Sequence, residues 1–206
     1  MKLLIITAVS QEQSAVLRGL NDTIHDVKTV GIGPAAAAAK TAKYLAEAQA
    51  RGERYDGVIN AGIAGGFPER TEPGELVVGT TSTSAELGVR LTDRFQPVDE
   101  LGFGSNSIAC DPALTSAIAA RRGHILTLAT ITGTPTIAQR LAQEHPRALA
   151  EAMEGFGVAT AAVTFGLPFA EIRSITNAVG DRDVSGWRWE AGFDALAKAA
   201  SDLSNV

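Results

Sequence analysis

Cysteine is nearly missing from this sequence: Cys110 is the single one in 206 residues. That scarcity excludes an internal disulfide framework and any metal cluster held by several thiolates. Histidine is scarce too, and His25, His124 and His145 lack the spacing of metal ligands. They are expected to be structural or surface residues. Basic residues are outnumbered, with 18 Lys and Arg against 23 Asp and Glu and a net charge of −5. This balance leaves no electrostatic footprint for nucleic acid or an anionic membrane. No apolar run reaches the length of a membrane span, and the apolar start of "MKLLIITAVSQEQ" is too short for an ordinary signal sequence. Dinucleotide, P-loop and serine-hydrolase signatures are also missing, since no G-x-G-x-x-G follows a strand and neither GK[ST] nor G-x-S-x-G occurs. What remains is a cytoplasmic chain of ordinary composition, 45% hydrophobic and 20% charged, long enough for one substantial core. A single domain over 1–206 is expected.

Apolar runs punctuated by helix signals fill that length. Lys2–Val9 predicts a strand buried on both faces, and Ser10 can cap a helix over Gln11–Leu20. A strand is expected at His25–Ile32, followed by a helix that starts near Pro34 and stops before Gly52. Asp56–Ala61 predicts a strand running into a glycine-rich turn, "NAGIAGGF", and Glu75–Ser82 the next, with Val89–Leu91 able to extend it. Residues 92–111 have no period and predict a long functional or mobile loop. Helices are expected at Pro112–Arg121, Ile137–Glu144, 154–165 and Trp187–Leu203, with strands at His124–Thr132 and in "LPFAEIRSIT". Alternating strands and helices argue an α/β fold with helices on both faces of a largely parallel sheet. Ligands gather at the carboxyl ends of such strands.

Polar residues stand at those ends: Glu12 after the first strand, Glu154 in the small-residue segment "EAMEGFGVA", and Asn177 after the last. Taken alone, each has a plain structural reading; Glu154 could be a solvated helix end and Asn177 a turn cap. "GIGP" at 31–34 could offer backbone N–H groups to an anion or simply start a helix. In combination, "MKLLIITAVSQE", "VGIGPAAAAAKTA", "DGVINAGIAGGF", "GELVVGT", "EAMEGFGVA" and "PFAEIRSITNAVGDRD" resemble the nucleoside phosphorylase/nucleosidase superfamily, in particular its methylthioadenosine/S-adenosylhomocysteine nucleosidase branch. Residues 177–187, "NAVGDRDVSGW", are similar instead to a segment of the futalosine hydrolase family.

The resemblance implies a three-layer αβα sandwich around a central mixed, largely parallel sheet. It implies hydrolysis of a purine N-glycosidic bond, without cofactor or metal, on a small-molecule nucleoside with water as nucleophile. A homodimer or larger homo-oligomer is implied as well. Glu12 takes the position of the carboxylate that activates water. Glu154 takes that of the ribose anchor, with Met153 beside the sugar, and Asn177 that of the residue engaging the purine. Ile63, Gly65, Thr134 and Ile137 are expected around the purine and sugar. No basic residue follows Glu12 until Arg18, which suits water better than phosphate. Asn177 replaces the aspartate of adenine-specific relatives. Its amide can donate to a 6-oxo group and accept from a protonated N7, which favours hypoxanthine. Futalosine, by the same resemblance, carries a benzoate that Arg182 could meet, unless Asp181 and Asp183 pair with that arginine. Arg70 could serve an anion or be a solvated loop charge, and Phe103 could cover the substrate or belong to the core. A methylthioadenosine nucleosidase, an inosine-type phosphorylase and a nucleoside sensor without catalysis are the alternatives.

Overall fold

A computed structural model of the chain describes residues 1–21 and 24–203. Its elements begin with β1 (Leu3–Thr7), α1 (Ser10–Gly19), β2 (Asp26–Thr29), α2 (Pro34–Ala50), β3 (Gly57–Gly66) and β4 (Leu76–Ser84). Three short strands follow, β5 (Gly88–Arg90), β6 (Phe95–Pro97) and β7 (Ser107–Ala109). The last third holds β8 (Arg121–Thr127), α3 (Pro135–Glu144), β9 (Ala148–Ala152), α4 (Gly155–Thr164), β10 (Phe169–Ala178) and α5 (Trp189–Leu203).

An eight-stranded sheet forms the middle layer. β1 lies between β2 and β3 with both pairings parallel, and β10 runs parallel to the other edge of β3. β4 joins β10 antiparallel and is followed by β8 and β9 in parallel. Gly65 and Gly66 also pair antiparallel with β9, so the sheet curls back on the end of β3. The α/β architecture is thus the expected one, with a mixed, largely parallel sheet.

Side-chain alternation along β1 explains the three layers. Leu3 and Ile5 join one core with α1 and α5 residues such as Val16 and Leu196, whereas Leu4 and Ile6 join another with α2 and α4 residues such as Leu45 and Val158. Glycines let paired helices approach closely. A Cβ on Gly19 would sit 1.9 Å from the Ala197 carbonyl oxygen of α5, and one on Gly157 would sit 2.2 Å from that of Pro34 in α2. A third core packs α3 through Ala138 and Leu141 beneath Phe67 and Leu126.

Several expected boundaries move. The "glycine-rich turn" is not a turn, because β3 continues through Gly66 and finds hydrogen-bonding partners on both sides. Val9 rather than Ser10 occupies the N-cap of α1, and Glu12 at the third helical position reaches back to accept from the Val9 N–H. Residues 92–111 are not one long loop: β5 and β6 form a hairpin, and β7 adds to β4. Asp111 caps the next segment by accepting from Ala113 N–H, but in place of the expected helix only a 3₁₀ turn at Pro112–Thr115 follows and β8 starts at Arg121. The alanines of "ALAEA" form β9, in a segment with helical preference, because burial between β8 and the end of β3 outweighs intrinsic preference.

Candidate active site

The carboxyl ends of β1, β3, β9 and β10 converge on one cleft of about 530 Å³, large enough for a nucleoside with a substituent. Glu12, Ile63, Gly65, Met153, Glu154 and Asn177 all face it. Arg182 lies on its wall as well. Thr134 and Ile137 do not line it. The Thr134 side chain caps α3 by accepting from Ile137 N–H, which turns both residues outward, and Ile131 and Thr132 occupy the wall instead.

Glu12 is buried at 2% exposure, held by three backbone donors. Ala8 N–H and Val9 N–H donate to Oε2 at 2.8 and 3.2 Å, and Ile63 N–H donates to Oε1 at 2.9 Å. A carboxylate offers about four acceptor sites, so capacity for a water remains. Burial pushes the Glu12 carboxyl above the usual carboxylate range; the Arg173 charge and the backbone donors work against that rise. A buried carboxylate whose proton affinity is raised in this way is suited to take a proton from water.

Glu154 is the N-cap residue of α4, carried into the cleft at the β9–α4 junction. Gly33 N–H donates to its Oε1 at 3.1 Å, and Arg173 Nη1 approaches its Oε2 at 3.5 Å. The "GIGP" amide therefore does meet an anion, but that anion is the protein's own glutamate. Gly33 has φ +93°, a conformation that L side chains rarely adopt, so glycine is required to aim this N–H.

Arg173 organises the floor of the cleft. Its side chain is 1% exposed, and Nε donates to Glu171 Oε1 at 2.9 Å. Nη2 donates to Asn60 Oδ1, and Nη1 approaches the Ile63 carbonyl at 3.4 Å. Gly62 shows how tightly the groups are set. A Cβ there would lie 2.6 Å from both Arg173 Nη1 and Glu12 Oε1. Neither Arg173 nor Glu171 was anticipated as a site residue. The signal was available in "FAEIRSIT": two opposite charges at i and i+2 fall on the same face of a strand otherwise fit for burial.

Asn177 sits where β10 shifts register against β3. Its Nδ2 donates to the Ala178 carbonyl at 3.0 Å, and Oδ1 accepts from Thr176 Oγ1 at 2.9 Å. Reversing the amide would set oxygen against the Ala178 carbonyl, so the pair fixes its direction. One N–H and one lone pair are left for a ligand. Glu151, at the end of β9, is buried as well. It accepts from Thr132 N–H at 2.8 Å and Thr132 Oγ1 at 2.5 Å, tying the wall at 131–132 to β9. Burial raises its carboxyl, and the Thr132 donors oppose that.

The cleft mouth is aromatic and apolar. Trp187 and Trp189 have ring centroids 4.7 Å apart at 36°, and Trp189 is 40% exposed. Both were expected inside the terminal helix, but α5 begins at Trp189, leaving Trp187 on the loop that carries Arg182. Arg182 makes no ion pair with Asp181 or Asp183; the Asp183 carboxylate accepts from Ser185 N–H and Oγ instead. Arg70 is partly buried and its guanidinium is already engaged within the chain. It donates to the carbonyls of Ala142, His145 and Ala148, closing the C-terminal end of α3. Phe103 belongs neither to the core nor to the cleft wall and is 80% exposed. Among the described residues there is no group of three or more His, Cys, Asp or Glu that could hold a metal, and no helix long and apolar enough to cross a membrane.

Comparison with known proteins agrees with this fold. Residues 12–205 match the phosphorylase superfamily. The chain is 43% identical to the futalosine hydrolase of Streptomyces coelicolor, over 100% of this chain and 96% of that protein. It is 37% identical to the futalosine hydrolase of Acidothermus cellulolyticus, over 96% of this chain and 91% of that one. The 5′-methylthioadenosine/S-adenosylhomocysteine nucleosidase of Neisseria meningitidis, solved with methylthio-immucillin-A, superposes with a TM-score of 0.82 at 18% identity, covering 100% of this chain and 99% of that one. The chain belongs to the phosphorylase superfamily.

Proposed function

We propose that this protein hydrolyses the N-glycosidic bond of futalosine, releasing hypoxanthine and leaving dehypoxanthine futalosine, a step of menaquinone biosynthesis. The observation that carries the reading is its 43% identity, over the whole chain, to a futalosine hydrolase. The arrangement of the cleft supports it. Glu12 accepts a proton from water as the water oxygen bonds to C1′ of the sugar. The C1′–N9 bond breaks, and its electron pair leaves with the purine. The free N–H of Asn177 donates to the 6-oxo group, where that negative charge collects; N7 takes a proton from solvent water, Oδ1 accepts from the resulting N7–H, and Glu12 returns its own proton to solvent. Glu154 accepts from the ribose hydroxyls, two charge-assisted bonds that fix the sugar, with Met153 packed beside it. Ile63 and Gly65 flank the ligand, and Arg182 faces the benzoate.

Water fits better than phosphate as the nucleophile. Beside Glu12 the floor has Arg173 already engaged with Glu171 and Glu154, and the Gly33 amide already given to Glu154. An anion arriving there would meet two carboxylates with their donors taken. We further propose that residues 1–206 act as one domain, in the cytoplasm, as a homodimer or larger homo-oligomer.

The decisive assay incubates the protein with futalosine, methylthioadenosine and inosine, each with and without phosphate, and identifies the released base. Hypoxanthine from futalosine, independent of phosphate, is the expected result. Adenine from methylthioadenosine at a comparable rate would favour the related nucleosidase activity, and strict dependence on phosphate would favour a phosphorylase.

A further inference from the structure

Glu171 has no part in the reaction described above, yet its placement is among the most demanding in the molecule. The side chain is 0% exposed, near the start of β10. A carboxylate there loses its hydration and needs compensation from its surroundings. Arg173 Nε supplies one hydrogen bond, at 2.9 Å to Oε1. Helix α4 supplies a second favourable field. A Cβ on Gly155, its first residue, would lie 2.2 and 2.3 Å from the two carboxylate oxygens. The carboxylate therefore sits against the N-terminus of a ten-residue helix, where the backbone dipoles favour negative charge. The glycine after Glu154 in "MEG" is what leaves room for it.

The guanidinium of Arg173 is consequently held from three sides. Glu171 takes Nε, Asn60 takes Nη2, and Nη1 is left pointing toward Glu154 and the Ile63 carbonyl. Glu12 Oε1 lies on that same side, next to Nη1 across Gly62. Three carboxylates therefore share one buried volume around Arg173: Glu12 from α1, Glu154 from the β9–α4 junction and Glu171 beside it on β10, while Cys110, after β7, lies next to Glu171. Burial, then the neighbouring Glu171 charge, push the Cys110 thiol up, so it stays neutral there.

We infer that Glu171 is a positioning residue for the hydrolysis: as counter-anion on the rear edge of Arg173, it aims Nη1 at the cleft and keeps Glu12 basic. The inference rests on the role proposed for Glu12. Without an anion behind it, the full guanidinium charge would act on Glu12 and Glu154. Glu12 would then hold its proton less tightly and be a weaker base. Burial itself raises the Glu171 carboxyl, with the Arg173 charge opposing the rise. The arrangement works only while Glu171 remains ionised, which Arg173 and the end of α4 favour.

The test compares pH profiles of kcat/KM for futalosine in the wild type, Glu171→Gln, Glu171→Met and Glu12→Gln, with thermal unfolding of each. Gln keeps a hydrogen-bond acceptor for Arg173 and loses the charge. Met fills a similar volume with apolar atoms and provides the comparison should Gln fail to fold. The acid limb is expected to move to lower pH by roughly one unit in both Glu171 variants, with a rate several-fold lower on the plateau. A limb that stays in place or moves up, whatever happens to thermal stability, overturns the inference. Glu12→Gln separates the two levels. If the limb survives in that variant, the role of Glu12 itself is wrong. If Glu12→Gln abolishes the limb and the Glu171 variants leave it untouched, only the role of Glu171 falls.

Discussion

The floor and the mouth of the cleft are built on opposite terms. On the floor, Glu12, Glu154, Glu171 and Arg173 are each less than 5% exposed, and each is held by named hydrogen bonds or ion pairs within the chain. At the mouth, Arg182 is exposed and makes no hydrogen bond or ion pair among the described residues, while Trp189, Ile32 and Ile131 leave apolar surface uncovered. Charges on the floor are set before any ligand arrives, in surroundings where their interactions are weakly screened. Groups at the mouth find their partners in the substrate. Rate should therefore be decided below and substrate choice above.

The floor offers the sharpest way to break this contrast. Glu12→Gln removes the proton acceptor while preserving side-chain shape, so kcat is expected to fall by about 10³-fold. Binding of a non-hydrolysable nucleoside, followed by calorimetry, should persist. A variant with full turnover would mean that the floor is structural and that water is activated elsewhere.

Asn177 lies between the two regions, and its replacement should alter choice more than rate. An ionised aspartate would set lone pairs against a 6-oxo group but accept from a 6-amino group. Asn177→Asp should accordingly shift the ratio of kcat/KM values for 6-oxo and 6-amino nucleosides by about 100-fold toward the latter. Competing the two substrates in one reaction reads the ratio directly. An unchanged ratio would assign Asn177 to the Thr176 and Ala178 contacts alone.

The mouth and the floor are unequally legible in the sequence as well. Glu12, Glu154 and Asn177 could be placed because they stand at strand ends, where α/β sheets collect ligands, and because the surrounding motifs have family counterparts. The carboxylates' partners are harder to see. Arg173 and Glu171 sit inside a strand, and their pairing is visible only when the same-face i, i+2 relation is weighed against the cost of burying either one. β9 is hidden in the sequence because alanine favours helices locally, and strand pairing with β8 and β3 prevails only in three dimensions. Thr134 and Ile137 were expected one turn too late in the chain: Thr134 serves as a helix cap, and the wall is made by the segment before it. The tryptophans carried no periodic signal separating a wall residue from the start of a helix.

The smallest expected effect tests the mouth. Arg182→Ala removes an exposed guanidinium that no described residue engages, so stability should change by less than about 0.5 kcal/mol. Against a substrate bearing a carboxylate on its sugar side chain, KM should rise roughly three- to tenfold with kcat nearly constant. A partly exposed ion pair is worth about 1 kcal/mol and acts equally on bound substrate and transition state. Inosine, which has no such carboxylate, should show no change. Raising ionic strength should shrink the difference between wild type and variant, because charges at an open mouth are screened. If Arg182→Ala lowers kcat for both substrates alike, the mouth contributes to the chemistry and the division between floor and mouth fails. If it changes neither constant for either substrate, the anion is held by some other group, and the neighbouring tryptophans become the next residues to replace.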